Sequence, residues 1–192
     1  MDVLPNRSLP NPTARLRLRP WVSADRLPFG EMNADKRVME YFPATLSSAE
    51  SDALVDRICA HHEKHGFGLW AVELRATSTF IGFTGLAIPQ WDAPFAPCVE
   101  VGWRLAAQYW GQGYATEAAR AALAFGFDEL ALEEIVSFTA AVNDRSQRVM
   151  QRLGMGYCKK EDFDHPALAG SHPLARHVLY RLSRETWEKR RR

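Results

Sequence analysis

The most informative part of this sequence runs Val99-Glu100-Val101-Gly102-Trp103-Arg104-Leu105-Ala106-Ala107-Gln108-Tyr109-Trp110-Gly111-Gln112-Gly113-Tyr114-Ala115-Thr116-Glu117. Its beginning is typical of a strand, and an Ala-rich helical stretch, residues 116–130, follows the two glycines. Gly111 and Gly113 let backbone N–H groups turn toward an anion at the positive end of that helix. The order of strand, glycine loop and helix therefore predicts a site for a phosphate-bearing ligand.

Two common phosphate loops do not fit this stretch. The P-loop needs Gly-Lys-Ser or Gly-Lys-Thr, which is absent here. The dinucleotide-binding loop needs a small residue where Thr116 stands, and it lies in a βαβ unit that the surrounding pattern does not supply. The sequence excludes both.

The rest of the chain predicts helices that are unevenly distributed among strands. The expected strands are residues 14–21, 67–74, 80–88, 98–105, 134–141, 155–159 and 175–182. The expected helices are residues 23–41 with an interruption at Pro28, 48–65 behind the capping box of Ser47 and Glu50, 116–130, and 143–153 before Gly154. Most of these strands can pair as hairpins, which favours an α+β fold with a mixed sheet over a doubly wound one.

A length of 192 residues fits one domain with a real core. Residues 1–12 are rich in Pro and Asn and predict an irregular lead segment, and residues 13–183 form the expected domain. Residues 184–192 form a basic C-terminal tail that we expect to be helical, with a solvated end at residues 189–192. No internal repeat or linker divides the chain.

Composition argues against several classes of protein. Hydrophobic residues make up 46% and charged residues 24%, and the formal net charge is +1, so no global field attracts nucleic acid. The sequence shows neither a signal-peptide core nor a run of about 20 apolar residues, so we expect a cytoplasmic protein that does not enter a membrane. Its three cysteines, Cys59, Cys98 and Cys158, are expected to be reduced thiols.

Two separated motifs resemble those of the GNAT acetyltransferases. The pyrophosphate loop of that family reads Gln/Arg-x-x-Gly-x-Gly/Ala, and here it reads Trp110-Gly111-Gln112-Gly113-Tyr114-Ala115, which departs only at Trp110. Further along come Asn143-Asp144-Arg145-Ser146 and Leu153-Gly154-Met155-Gly156-Tyr157. The resemblance covers residues 16–182 and is closest to the RimJ/RimL-like branch, which acetylates N-terminal amines of ribosomal proteins.

The resemblance implies a mostly antiparallel mixed sheet with one splayed strand pair and helices on its flanks. It implies that acetyl-CoA is the co-substrate, with no metal, and that backbone groups of Trp103, Arg104 and Leu105 bind the pantetheine arm in the gap. A backbone N–H there would stabilise the developing oxyanion. The expected pyrophosphate contacts come from Trp110, Gly111, Gln112, Gly113, Tyr114, Ala115 and Thr116.

The same resemblance assigns roles to two residues of the second motif. Asn143 would bond the pantetheine amide, and Ser146, one turn on, would protonate the departing thiolate; their i, i+3 spacing faces both the same way. The alternative is that Asn143 only caps the helix and Ser146 is solvated. The three cysteines match no nucleophile pattern, so we expect direct attack by the amine without an acetyl-enzyme.

The general base is less clear from the sequence. The glutamate and tyrosine that some relatives use are matched by Phe138 and Met150. Glu100 is the nearest remaining carboxylate and could accept the amine proton, although it could equally lie on a solvated or ion-paired strand face.

Other polar and aromatic residues are candidates for the acceptor site. Residues 162–166, with His172 and His177 beyond them, lack regular metal-ligand spacing and predict a polar loop, in which Asp164 or His165 could orient or deprotonate the amine. Trp70, Trp91, Phe95 and Trp103 could wall the pocket, although strand aromatics are usually core.

The sequence thus predicts transfer of an acetyl group to a primary amine, which could be a protein N-terminus. Two alternatives stay open: acetylation of a small amine such as a polyamine, an amino acid or an antibiotic, and a CoA-binding sensor that transfers nothing. A homodimer is compatible with the sequence, and no nucleic acid partner is expected.

Overall fold

The computed structural model describes residues 9–168 and 170–191. In this part of the chain, eight strands form one sheet and five α-helices flank it. The strands are β1 Leu16–Arg19, β2 Leu69–Leu74, β3 Thr79–Ala87, β4 Glu100–Leu105, β5 Glu134–Ala140, β6 Gly156–Tyr157, β7 Phe163–Asp164 and β8 Arg176–Ser183. The helices are α1 Arg26–Ala34, α2 Ser48–His65, α3 Tyr114–Asp128, α4 Asp144–Leu153 and α5 Arg184–Arg191. The first eight residues of the predicted lead segment, and Arg192 of the predicted tail, lie outside the described residues.

The sheet confirms the predicted mixed, mostly antiparallel architecture. Its order is β1-β2-β3-β4-β5-β8-β6, with β7 beside β8. Neighbouring strands are antiparallel except β4 and β5, which are parallel. The short strand β7 lies where the sequence predicted only a loop, because two residues give too little alternation to predict a strand.

The expected splayed strand pair is formed by β4 and β5. Their only register pair among the described residues joins Glu100 to Val136. β3 pairs along the full length of β4, from Ala87 with Glu100 to Gly82 with Leu105. Beyond Glu100, β4 therefore has a partner on one side and an open gap on the other.

Local signals set the ends of α2 and α4 as predicted, whereas the helix predicted over residues 23–41 is α-helical only at Arg26–Ala34. Ser47 accepts a hydrogen bond from the Glu50 N–H, and the Glu50 carboxylate accepts one from the Ser47 N–H at 2.8 Å, so the capping box begins α2. Asn143 caps α4. Gly154 ends α4 in the left-handed conformation with φ 83°, which glycine adopts without steric cost.

Two apolar layers cover the two faces of the sheet. α3 buries Ala118, Ala122 and Leu123 against one face in the main core. On the other face, Phe29 of α1 and Val55 of α2 pack around Phe83 in a second core. The gap between β4 and β5 is consequently flanked by protein on both sides.

The tail forms helix α5, whose residues 189–191 are exposed as expected, but the helix also packs on the domain. Trp187 is 6% exposed and stacks on Phe127 at 5.5 Å between ring centroids. Arg191 donates to the Asp128 carboxylate at 2.8 Å. Burying the large aromatic ring of Trp187 is strongly favourable, so the helix packs on the domain even though most of its other residues are charged. No helix in the described part of the chain is both long and apolar enough to cross a membrane.

Candidate active site

The gap between β4 and β5 opens into a cavity of about 760 Å³. Its walls come from both strands, the glycine loop, the first residues of α3, one face of α4 and the segment after α1. Most of the residues singled out from the sequence line it, namely Glu100, Trp103, Arg104, Leu105, Trp110, Gly111, Gly113, Tyr114, Ala115, Thr116, Asn143 and Ser146. Gln112 lines a second, adjacent depression on the outer side of the loop.

The glycine loop has the conformation that an anion site needs. Gly111 and Gly113 have φ values of 74° and 82°, in the region that favours glycine. A Cβ at Gly111 would meet nothing within 4 Å, so backbone conformation and not crowding requires glycine there. Gly113 is the N-cap of α3 and provides no side-chain cap, so the first N–H groups of the helix are available to a ligand.

An ion pair that the sequence did not reveal holds this loop in place. Arg15 pairs with Glu117 at 2.6 Å and donates to the Gln112 carbonyl oxygen at 3.0 Å. The Arg15 guanidinium also lies 4.5 Å from the centre of the Tyr114 ring. No sequence signal links residues 15 and 117, because only the fold brings the residue before β1 to the start of α3.

Trp110, the one departure from the family loop, is tied to the protein. Its indole N–H donates to the Leu105 carbonyl oxygen at 2.8 Å, so this donor is not free for a phosphate. The Arg145 guanidinium lies 4.7 Å above the Trp110 ring and pairs with Glu40. Arg145 thus places positive charge next to the loop position where the family carries Gln or Arg.

The backbone groups that face the gap can be identified by strand alternation. Val99, Val101, Trp103 and Leu105 turn their N–H and C=O toward β5, as the bond from the Val136 N–H to the Val99 oxygen shows at 2.9 Å. The Val101 oxygen accepts from Ser137 Oγ at 2.9 Å, and the Leu105 oxygen is taken by Trp110. Both backbone groups of Trp103 and the N–H of Leu105 therefore face the gap.

The backbone of Arg104 points the other way, which corrects one expectation. It alternates with Trp103 and pairs with Phe83 of β3, so its N–H and C=O are turned away from the gap. Arg104 cannot bind a ligand in the gap through its backbone as the resemblance implied. Its side chain instead lines the cavity on the face of β4 that also carries Glu100 and Gly102.

Asn143 and Ser146 lie at the start of α4 and contact each other. Asn143 is 8% exposed; its Oδ1 accepts from the Ser146 N–H at 3.1 Å, which is an N-cap, and its Nδ2 donates to Ser146 Oγ at 3.1 Å. Nδ2 also donates to Thr139 Oγ1 at 2.9 Å. Because Ser146 Oγ accepts one bond, its own proton remains available to donate into the cavity.

Glu100 lies at the point where β4 and β5 separate. Its carboxyl group forms no hydrogen bond or ion pair within the described residues. The side chain is half-buried in the cavity lining, and this burial raises its pKa to about 8. The carboxyl group is not ion-paired within the described residues, and it faces the cavity.

Two histidines form a second polar group in the cavity. The rings of His165 and His177 lie 5.0 Å apart, and burial lowers the pKa of both. His165 Nδ1 accepts from the Ala167 N–H at 3.3 Å. His177 Nδ1 lies 3.0 Å from the Ala175 oxygen, which leaves its Nε2 free to accept a proton. Asp164 is exposed and pairs with Arg176, away from the cavity lining.

The aromatic candidates divide between cavity and core. Trp103 lines the cavity, whereas Trp70 is buried in the main core. Trp91 and Phe95 pack on Phe163 in a separate cluster and do not line the cavity. Phe138 and Met150, at the positions of the missing acid and base, do line it as apolar groups.

Positive charge dominates the described lining of the cavity. Glu100 is the one carboxylate there, and the guanidinium groups are those of Arg37, Arg104, Arg145, Arg148 and Arg152. No cluster of three metal-capable side chains occurs within residues 9–168 and 170–191.

Comparison with known proteins identifies acetyltransferases as similar sequences, in agreement with the geometry of the site. Residues 15–156 match the family model for the acetyltransferase (GNAT) domain. The chain is 32% identical to the uncharacterized protein YkkB of Bacillus subtilis over 148 residues, which are 77% of this chain and 85% of that one. It is 30% identical to FsC-acetyl coenzyme A-N(2)-transacetylase of Aspergillus fumigatus over 187 residues, 91% and 76% of the two chains.

Solved structures share the same fold. An acetyltransferase from Agrobacterium tumefaciens superposes with a TM-score of 0.72 at 28% identity, with 91% of this chain and 95% of that chain covered. RimL, the ribosomal L7/L12 α-N-protein acetyltransferase in complex with coenzyme A, superposes with a TM-score of 0.74 at 13% identity over 93% and 99%. At this low identity, the similarity to RimL shows only that the fold is shared. With the family match, the splayed strands and the glycine loop in agreement, the chain belongs to the GNAT family of acetyltransferases.

Proposed function

We propose that this protein transfers the acetyl group of acetyl-CoA directly to a primary amine, with Glu100 as the general base and Ser146 as the general acid. The observation that carries the proposal is the position of Glu100: an unpaired carboxyl group at the apex of the gap, in the same cavity as Ser146. A carboxyl group with a pKa near 8 can take a proton from an ammonium ion or amine close to neutral pH.

The residues present fit acetyl-CoA. The free N–H groups of Tyr114, Ala115 and Thr116 suit a pyrophosphate at the N-terminus of α3. The backbone groups of Trp103 suit the amides of a pantetheine arm, and one N–H there suits the developing oxyanion. The named co-substrate of the A. fumigatus relative and the coenzyme A in the RimL complex support the same ligand.

The proposed chemistry needs two proton transfers, one to the protein and one from it. The amine nitrogen attacks the acetyl carbonyl carbon, a C–N bond forms and the C–S bond breaks. Glu100 takes the proton that the amine loses, and Ser146 Oγ gives its proton to the leaving sulfur. Solvent then takes the proton from Glu100 and returns one to Ser146. Asn143 keeps Ser146 Oγ in place through the bond from Nδ2.

The cavity favours some acceptors over others. A polyamine carries several positive charges and is disfavoured by a lining with Glu100 as its one described carboxylate and five arginines. A neutral or anionic amine is favoured, and a peptide N-terminus remains one candidate, in keeping with the RimJ/RimL-like resemblance. The rival is a CoA-binding sensor, which would bind acetyl-CoA without releasing CoA.

The first experiment is a thermal-shift titration with acetyl-CoA. Binding raises the melting temperature by mass action, so we expect a rise in the wild type and none in Gly113→Trp, whose side chain cannot adopt the loop conformation without strain. Release of free thiol with a panel of primary amines then separates the enzyme from the sensor. The absence of a shift in the wild type would refute acetyl-CoA binding; a shift without thiol release from any amine would favour the sensor.

A further inference from the structure

We infer that the side chain of Arg104 binds a carboxylate of the acceptor, so that the preferred substrate is an amine that also carries a carboxylate group. This inference rests on the proposed function and names the class of its acceptor. It concerns the side chain, not the backbone, of Arg104.

The Arg104 guanidinium has no anionic partner in the described part of the protein. Nη1 donates to Asn33 Oδ1 at 2.7 Å, and this is the only protein oxygen among residues 9–168 and 170–191 that the group contacts by a hydrogen bond. Nε is buried without a partner in the same residues. A charged group that is removed from water without a counter-ion is costly, and here burial lowers the pKa of Arg104 to about 10.

The surroundings hold this guanidinium in one orientation. Asn33 is fully buried, and its Nδ2 donates to Ser51 Oγ at 2.8 Å, which turns Oδ1 toward Arg104. The ring centres of Phe42 and Phe83 lie 4.1 and 5.4 Å from the guanidinium carbon. Nη1 is thereby occupied and Nε is buried, which leaves Nη2 without a described protein acceptor. A carboxylate that accepts from Nη2 in the cavity would supply the missing counter-charge.

The position of Arg104 suits an acceptor and not the cofactor. Arg104, Gly102 and Glu100 alternate along one face of β4, so the guanidinium and the proposed base share the same side of the cavity. Gly102, which lies between them, leaves the cavity open at this point, because a Cβ there would meet only Glu100 Oε1 within 4 Å, at 3.8 Å. Trp103, whose backbone faces the gap, points its side chain to the opposite core.

The Cα atoms of Glu100 and Arg104 are about 13 Å apart along the strand, because four residues separate them and each adds about 3.3 Å. Both side chains line the cavity, and a hydrogen bond of about 3 Å at each end of a ligand covers part of this distance. An acceptor with its amine at Glu100 and its carboxylate at Arg104 therefore spans several bonds, as a short ω-amino acid or a dipeptide does.

The experiment compares matched amines that differ only in the carboxylate. The pairs are 4-aminobutyrate and 4-aminobutanamide, 6-aminohexanoate and its amide, and glycylglycine and glycylglycinamide. Each is offered with saturating acetyl-CoA, and free thiol is measured. In the wild type, we expect kcat/KM for the carboxylate to exceed that for the amide by about tenfold or more in at least one pair, because the charge-assisted contact with Arg104 is lost with the amide.

Variants of Arg104 test whether this residue is the cause. Arg104→Gln should bring the two members of the pair within about twofold through a higher KM for the carboxylate, with acetyl-CoA affinity unchanged; Arg104→Lys should give an intermediate ratio. Arg37→Gln is the matched control, because Arg37 lines the same cavity but already pairs with Asp35 at 2.6 Å. It should keep the wild-type ratio.

The same amines are also added to the CoA-saturated protein in a thermal-shift assay, which needs no turnover. We expect carboxylates and not amides to raise the melting temperature of the wild type. Equal behaviour of acid and amide in both assays, or a preference that persists in Arg104→Gln, would overturn the inference while acetyl-CoA binding stays intact. Loss of acetyl-CoA binding by the wild type would instead refute the proposed function.

Discussion

Ser137 Oγ donates a 2.9 Å hydrogen bond to the Val101 carbonyl oxygen, immediately after the one register pair of β4 and β5. A side chain there takes the place of the next backbone bond between the strands. Val101 keeps a partner for its buried oxygen, and the strands separate without leaving this group unsatisfied. The hydroxyl group of Ser137, which no sequence motif singled out, therefore closes the gap at the end where β4 and β5 meet.

Ser137→Ala removes the donor at the apex. We expect the free energy of unfolding to fall by about 1–2 kcal/mol, because the Val101 oxygen would be buried without a partner. Urea denaturation measures this change. Ser171→Ala, at an exposed position, is the control and should leave the midpoint unaltered. A midpoint equal to that of the wild type would show that the hydroxyl does not hold the apex.

Glu100→Gln removes the proposed base. Since the wild-type pKa is about 8, the carboxyl group is mostly protonated at neutral pH, and kcat/KM should rise as pH increases through about 8. The variant should be slower by about 100-fold or more and should show only the pH dependence of the acceptor amine itself. Measuring both proteins with one acceptor separates these contributions. Parallel pH profiles for the two proteins would exclude Glu100 as the base.

The raised pKa of Glu100 also predicts how the stability of the protein depends on pH. The pKa of Glu100 is raised in the folded protein above its ordinary value of 4.5, so the protonated folded state is favoured. The contribution to stability is fully present below about pH 4.5 and is lost as pH rises through about 8. Relative to Glu100→Gln, the wild type should therefore lose stability between pH 5 and pH 9, by about 4 °C or more in melting temperature. A constant difference across this range would contradict the raised pKa.

Ser146→Ala tests the proposed acid. Turnover should fall by about tenfold or more, because the leaving thiolate would lose its proton donor, whereas acetyl-CoA affinity should be kept. Steady-state kinetics and a thermal-shift titration measure the two quantities. Arg148→Gln, which lines the same cavity on α4, provides a comparison for general effects on the helix face. Unchanged turnover in Ser146→Ala would remove the assigned role.

The variant Asn143→Asp tests whether Asn143 only caps α4 or also positions Ser146 in the proposed active site. Aspartate caps helices as well as asparagine does, so the melting temperature should stay within about 2 °C. It cannot donate to Ser146 Oγ or Thr139 Oγ1, so turnover should fall by about tenfold. Both quantities come from the same purified protein. Full activity with full stability would mean that Asn143 serves the helix alone.

Local features of the sequence were sufficient for much of the fold. The capping box at Ser47 and Glu50, the cap at Asn143 and the stop at Gly154 act over a few residues, so their physical consequences do not depend on distant contacts. The glycine loop is equally local, since the left-handed conformations at Gly111 and Gly113 need only glycine and the following helix.

The basic tail shows where such local reasoning was insufficient. Its charges predicted a solvated end, and residues 189–191 are exposed, but they did not indicate that Trp187 packs on Phe127, a contact that spans 60 positions in sequence. The same holds for the ion pair of Glu117 with Arg15, just before β1, which holds the glycine loop in place. Side-chain type alone could not indicate either partner.

By itself, the sequence determined the order of most strands and helices, the glycine loop and the family, because these depend on residue types at fixed short spacings. Only the tertiary structure decided that the Glu100 carboxyl group lines the cavity without a partner among the described residues, that Arg104 turns its side chain and not its backbone to the cavity, and that Ser137 closes the gap. Burial, pKa and the side of a strand that remains unpaired depend on neighbours far along the chain, and the spacing of residues in a sequence does not contain them.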